Sequence, residues 1–127
     1  MNVSSHWIII AAGLLGFTGV GLGAFGAHAL KDTLTASGTL PLWQTAVQYH
    51  LIHAVALLAI GVWPGAGNQA HWIAWCWTAG VMLFSGSLYG LALGGPRILG
   101  PITPIGGLAL LAGWLLVAWT AFRQAKA

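Results

Sequence analysis

Charge is what this sequence has least of. Only 4% of its 127 residues are charged, against roughly a quarter in an ordinary soluble domain, so water is not the main solvent of this chain. Acid is scarcest: Asp32 stands alone, and no carboxylate falls inside any long apolar stretch. Cysteine is equally sparse. Cys76 sits by itself in an apolar run, which excludes an internal disulfide and a cysteine metal quartet and leaves it a packing role. The four basic residues, Lys31, Arg97, Arg123 and Lys126, form no stripe interleaved with aromatics, so nucleic acid is not an expected partner. The N-terminus lacks the basic segment of a secretory signal, and its apolar run is too long for one; Trp7 onward is expected to be a retained span.

What the chain does have is apolar length. Hydrophobic residues make up 58% of it, and the charges leave residues 1–30, 33–96 and 98–122 with none. A bilayer core about 30 Å thick takes about 20 apolar residues per helix, and the middle stretch holds two helices and a turn. The expected fold is therefore all-α and integral to the membrane: a single four-transmembrane-helix bundle over 1–127, with spans at about 7–28, 42–62, 70–93 and 102–122. Residues 33–41, with Ser37, Gly38 and Pro41, read as a surface loop, and Trp63, Pro64, Gly65, Gly67 and Asn68 as a turn. Gly19, Gly23 and Ala27 on span one, and Gly86, Gly90 and Gly94 on span three, form small-residue stripes that permit close helix contact in lipid. The same stripes suit packing within one bundle or a homo-oligomer. His71, Trp72, Trp75 and Trp77 read as an interfacial cluster. Two basic residues lie on each side of a four-span chain, and Asp32 with the C-terminal pair Arg123 and Lys126 tips the expectation toward cytoplasmic termini.

The polar side chains are not spread evenly. Because successive spans run in opposite directions, His28 closing span one, Gln44, Thr45, Gln48, Tyr49, His50 and His53 opening span two, Ser85, Ser87 and Tyr89 late in span three, and Thr103 opening span four all fall in one half of the bundle. Thr45, Tyr49, His50 and His53 share one broad helix face. Polar groups left facing lipid cost several kcal/mol each, so these side chains are expected to turn inward and bond together. The candidate ligand-binding residues are His28, Tyr49, His50, His53, Ser85, Ser87, Tyr89, Arg97 and Thr103.

Three chemistries compete with a packing network. His28, His50 and His53 supply three imidazoles, the ligand count of some zinc centres, and are the metal or haem candidates. A proton relay through the histidines and tyrosines lacks acids and has no polar path through the other half. Acyl transfer by Ser85 or Ser87 lacks the G-x-S-x-G elbow and a nearby acid, and Phe84 to Tyr89 reads more simply as a helix contact. A shallow anion or headgroup site where span four begins, near Thr103 and Arg97, is a further option.

Gly21 to Leu30, which read Gly-Leu-Gly-Ala-Phe-Gly-Ala-His-Ala-Leu, with Gln48-Tyr49-His50, His53 and Ala54, Leu83 to Leu88, and Thr103-Pro104-Ile105-Gly106-Gly107, carry a resemblance over essentially the whole chain. The sequence resembles the YgdD-like family of small inner-membrane proteins, the domain-of-unknown-function 423 family, related to eukaryotic transmembrane protein 256. The resemblance implies four spans in a bacterial inner membrane and no established activity. It also implies that glutamine can replace His50, which favours hydrogen bonding there and leaves His28 and His53 as the stronger site candidates. The reading is a non-enzymatic membrane protein whose one-sided polar pocket binds a small ligand, lipid headgroup or partner, with no motif that requires a cofactor. A metal- or haem-binding protein or metal-dependent enzyme is the alternative.

Overall fold

A computed structural model describes residues 3–126, with side-chain surroundings from His6 onward. Helices account for nearly all of it, in the order α1 (Val3–Ala27), α2 (Lys31–Ala36), α3 (Leu40–Val62), α4 (Gln69–Ala92) and α5 (Leu99–Gln124), with one 3-10 turn at Pro64–Ala66. Three helices are long and apolar enough to cross a membrane: His6–Ala27, Leu40–Val62 and Leu99–Gln124. The fourth long helix, α4, has 24 residues, so at 1.5 Å per residue it is about 36 Å long. Its sequence is less apolar because it carries His71, Trp72, Trp75, Trp77, Ser85, Ser87 and Tyr89.

The elements differ from the sequence expectation in three places. Part of the expected 33–41 loop is helical: α2 docks through Leu34, which is fully buried beside Trp43 and Ala92. The last helix starts at Leu99, because Pro101 falls in the first turn, where its missing N–H would have no helical partner anyway. Trp77, placed with the interfacial aromatics, lies in the core at 1% exposure, while Trp72 and Trp75 are exposed at 65% and 61%.

The helices lie in a row. α1 packs on α3, α3 on α4 and α4 on α5, with a lesser approach of α1 to α4. Glycines make the close approaches. A Cβ at Gly26 of α1 would run into the Trp43 indole, and one at Gly113 of α5 into that of Trp77. Each indole uses the gap to donate to the adjoining helix backbone: Trp43 Nε1 to the Leu22 carbonyl at 2.9 Å, and Trp77 Nε1 to the Leu110 carbonyl at 3.3 Å. Gly106 of α5 lies against the Phe84 backbone of α4, and Gly61 of α3 against Ile9 of α1. Of the expected stripes, Gly19 and Gly23 do face α3, at Leu51 and Val47. The span-three stripe divides instead: Gly86 faces open space, Gly90 meets Leu99, and Gly94 ends α4 with φ +81°.

One apolar core joins Ile8, Ala12, Leu57, Ile60, Ile73, Trp77, Val81 and Leu110. A second, smaller cluster surrounds Leu34, Trp43 and Ala92 at the end of the molecule where α2 sits. This is the far end of the bundle, where α3 begins and α4 ends.

Candidate functional site

α3 carries more polar side chains than either α1 or α5, and its helical twist sends them in different directions. His50 turns between α1 and α4, at 5% exposure. Its Nε2 lies 3.3 Å from Thr18 Oγ1 and its Nδ1 3.1 Å from the Tyr89 hydroxyl. The Thr18 hydroxyl donates to the Leu14 carbonyl at 2.8 Å, so its oxygen accepts from His50 Nε2–H, and His50 Nδ1 accepts from the Tyr89 O–H. An ordered chain of donors therefore runs from α4 through α3 into α1.

His53, three residues on, is 3% exposed and faces α5. Its Nδ1 is 2.8 Å from the Tyr49 carbonyl, which can only accept. Nδ1 therefore carries the proton, and Nε2 accepts the Trp114 indole N–H at 3.1 Å. The two neutral imidazoles hold opposite tautomers, and all four ring nitrogens are engaged within the protein.

The remaining predicted residues divide in the same way. Ser85, at 1% exposure, donates to the Ala46 carbonyl of α3 at 2.8 Å. Ser87 Oγ bonds Thr103 Oγ1 across the α4–α5 seam at 2.6 Å, and also donates to the Phe84 carbonyl. Thr39 Oγ1 donates to the Ala92 carbonyl, closing the α3–α4 seam at the far end. The expectation that the buried polar groups turn inward holds for His50, His53, Ser85, Ser87 and Tyr89. They form separate ties, one or more per helix pair, rather than one converging set.

His28 lies beyond the end of α1 and is exposed, as is Arg97 in the α4–α5 connection. Neither makes a side-chain hydrogen bond to the described residues. The three-imidazole set His28, His50 and His53 is not assembled: α1 ends before His28, and the other two rings point to different helices. Among the described residues no three His, Cys, Asp or Glu side chains come together to hold a metal ion. Gln44 and Gln48 are exposed on α3 rather than turned inward. Among the described residues, Ser85 and Ser87 have no histidine partner for acyl transfer.

A lateral groove of about 560 Å³ opens between α3 and α5. α3 contributes Tyr49 and His53, α4 supplies Phe84, and α5 lines the opposite side with Pro104, Gly107, Leu108, Leu111 and Trp114. The His53–Trp114 bond bridges α3 and α5 at this groove. Tyr49 stacks on His53 at 6.3 Å and lies 4.6 Å from Phe84 between ring centroids. Its hydroxyl has no hydrogen-bond partner among the described residues, and the residue is 40% exposed.

Sequence reasoning missed Thr18, Trp114, Phe84 and the α5 lining. Thr18 carried a signal, being the one hydroxyl between Trp7 and Ala27. Trp114 carried none, because its indole N–H matters only once α5 is rotated toward His53.

Apolar helices of membrane length, joined by buried hydrogen bonds and indented by lateral grooves, define a small helical integral membrane protein. The chain belongs to the family described as "Protein of unknown function (DUF423)", whose model matches residues 22–107. It is 43% identical over 116 residues to a UPF0382 membrane protein of Staphylococcus saprophyticus, covering 91% of this chain and 96% of that one. It is 39% identical to the UPF0382 inner membrane protein YgdD of Escherichia coli, covering 95% and 93%, and 38% identical to the UPF0382 membrane protein YwdK of Bacillus subtilis, covering 91% and 95%. No solved structure matches the chain.

Proposed function

We propose that this protein is a non-catalytic, four-span inner-membrane protein that holds a lipid-like amphiphile in the groove between α3 and α5. The observation that carries the reading is the groove itself: apolar walls, aromatic rings from three helices, and the unpartnered Tyr49 hydroxyl. Its volume of about 560 Å³ falls within the roughly 300–1,000 Å³ typical of ligand pockets. The groove begins at Tyr49, about 14 Å into α3, and runs to Trp114, about 22 Å into α5, so most of its length faces acyl chains below the ester level that Tyr49 reaches. An acyl or prenyl chain fits the Leu108 and Leu111 side, and an ester or keto oxygen on it gives the phenol an acceptor. His50, Ser85, Ser87, Tyr89 and Thr103 act behind the groove as the ties that hold its walls in place. In this reading the termini and the turn at Pro64–Ala66 lie on the cytoplasmic side, the side of the basic pair Arg123 and Lys126.

A metal- or haem-bearing site has less support, because the ring nitrogens of His50 and His53 are already bonded and His28 lies apart from both. The deciding experiment is photo-cross-linking in membranes with a diazirine-bearing acyl lipid, followed by peptide mapping. Adducts on Tyr49, Leu108 and Leu111, lost in a Gly107→Trp variant that fills the groove, are expected. Labelling spread evenly over all exposed apolar helix faces and unaffected by Gly107→Trp would overturn the proposal.

A further inference from the structure

We infer that a second site, the far-end crevice between α1 and α3, takes the phosphoglycerol region of a membrane phospholipid. The crevice has a volume of about 320 Å³, with Gly23, Gly26 and Ala27 on one wall and Trp43, Gln44 and Gln48 on the other. Both of its helices are long and apolar enough to cross the membrane, yet two carboxamides stand exposed on one of them. Neither Gln44 nor Gln48 hydrogen-bonds any described residue. Each side chain offers two N–H donors and one acceptor, and leaving such groups bare against hydrocarbon costs several kcal/mol apiece.

Depth and direction identify the occupant. Gln44 and Gln48 follow Leu40, where α3 begins, by four and eight residues, which is about 6 and 12 Å along the axis. Helix side chains lean toward the N-terminus of their own helix, and for α3 that is the far end. Both amides therefore sit closer to the headgroups than their Cα atoms do. The groups a bilayer presents at that level are phosphate and ester oxygens, which accept hydrogen bonds and lack donors of their own. Trp43 at the back of the crevice cannot compete for them, because its indole N–H is bonded to the Leu22 carbonyl. Gly23 and Gly26 let the α1 wall close on Val47 and Trp43, and Gln44 and Gln48 stand exposed beside that contact. A helix from a second copy fits less well, because an apolar helix face laid on the crevice would leave both carboxamides without partners.

The test uses the full chain, delipidated in detergent and titrated with phosphatidylglycerol or phosphatidylethanolamine. Retained lipid is read by native mass spectrometry, and melting temperature is followed in parallel. The Gln44→Leu/Gln48→Leu pair is expected to lower retention of one bound phospholipid about tenfold, the equivalent of about 1.4 kcal/mol. Ala27→Trp, which fills the crevice while keeping both carboxamides, is expected to do the same. Gly107→Trp is expected to leave this lipid bound, which separates the crevice from the α3–α5 groove. Equal retention in wild type and both crevice variants would overturn the inference. So would a melting shift of equal size with glycerol 3-phosphate or inorganic phosphate alone, or loss of a dimer peak instead of a lipid adduct.

Discussion

The two histidines of α3 illustrate how little a residue type says before its surroundings are known. His50 and His53 are three positions apart, and each is buried. One donates through Nε2 to Thr18, and the other donates through Nδ1 to its own helix and accepts from Trp114. Their spacing was legible in the sequence and suggested a shared site; their partners were not, because a hydrogen bond depends on how neighbouring helices are rotated. The His53–Trp114 tie makes a measurable claim. In a double-mutant cycle of His53→Leu and Trp114→Phe, the coupling is expected at about 0.6 kcal/mol and no more than about 1.7, the average and the maximum for side-chain hydrogen bonds between membrane helices. Trp114→Phe alone is expected to cost about 1–3 kcal/mol, since it leaves a buried acceptor without its donor. Reversible unfolding in mixed micelles would measure both, and a coupling near zero would mean that the two side chains act independently.

At the scale of the element, packing is set by which glycines meet a neighbouring helix. The sequence marked stripes by four-residue spacing, and the α1 stripe was read correctly because Gly19 and Gly23 face α3. The α4 stripe divides, with Gly90 against Leu99 and Gly86 facing open space, since equal spacing does not tell an interface within the bundle from an outward-facing row. Gly106, outside either stripe, makes one of the tightest approaches: a Cβ there would come within 2.8 Å of the Leu83 carbonyl carbon and closer still to the Phe84 nitrogen. Backbone cannot swing aside as a side chain can. Gly106→Ala is therefore expected to destabilise the α4–α5 pair by about 1–3 kcal/mol through overpacking. Gly86→Ala, where nothing lies within 4 Å, is expected to be neutral or to stabilise by up to about 1 kcal/mol from helix propensity. Thermal melting of the two variants side by side checks the difference; equal losses would contradict the packing.

For the whole molecule, the row of helices accounts for the sparse hydropathy of α4. It lies between α3 and α5 and presents less surface to lipid, so its positions accept Ser85, Ser87 and Trp77, which bond or pack against neighbours. That placement favours a fourth crossing, which membrane topology can test. In a Cys76→Ala background, single cysteines replacing Ser37, Gly67 and Arg97 are expected to label from opposite sides: Gly67 from one, Ser37 and Arg97 from the other. With cytoplasmic termini, Gly67 is protected in intact cells. Reaction of Gly67 and Arg97 from the same side would show that α4 does not cross.

By itself the sequence determined the solvent, the helical class, the approximate positions of the four long helices, and the concentration of polar groups toward one end. These follow from composition, segment length and alternating direction, all local or additive properties. It also carried the family, through motifs spread along the chain. Only the tertiary structure decided that the polar groups pair off between helices, that His28 stands apart from the other candidates, that α2 docks through Leu34, and that Tyr49 with His53 and Gln44 with Gln48 line two separate grooves on α3. Those outcomes depend on the rotation and register of each helix against the next, which glycine contacts and indole hydrogen bonds settle between residues far apart in the chain.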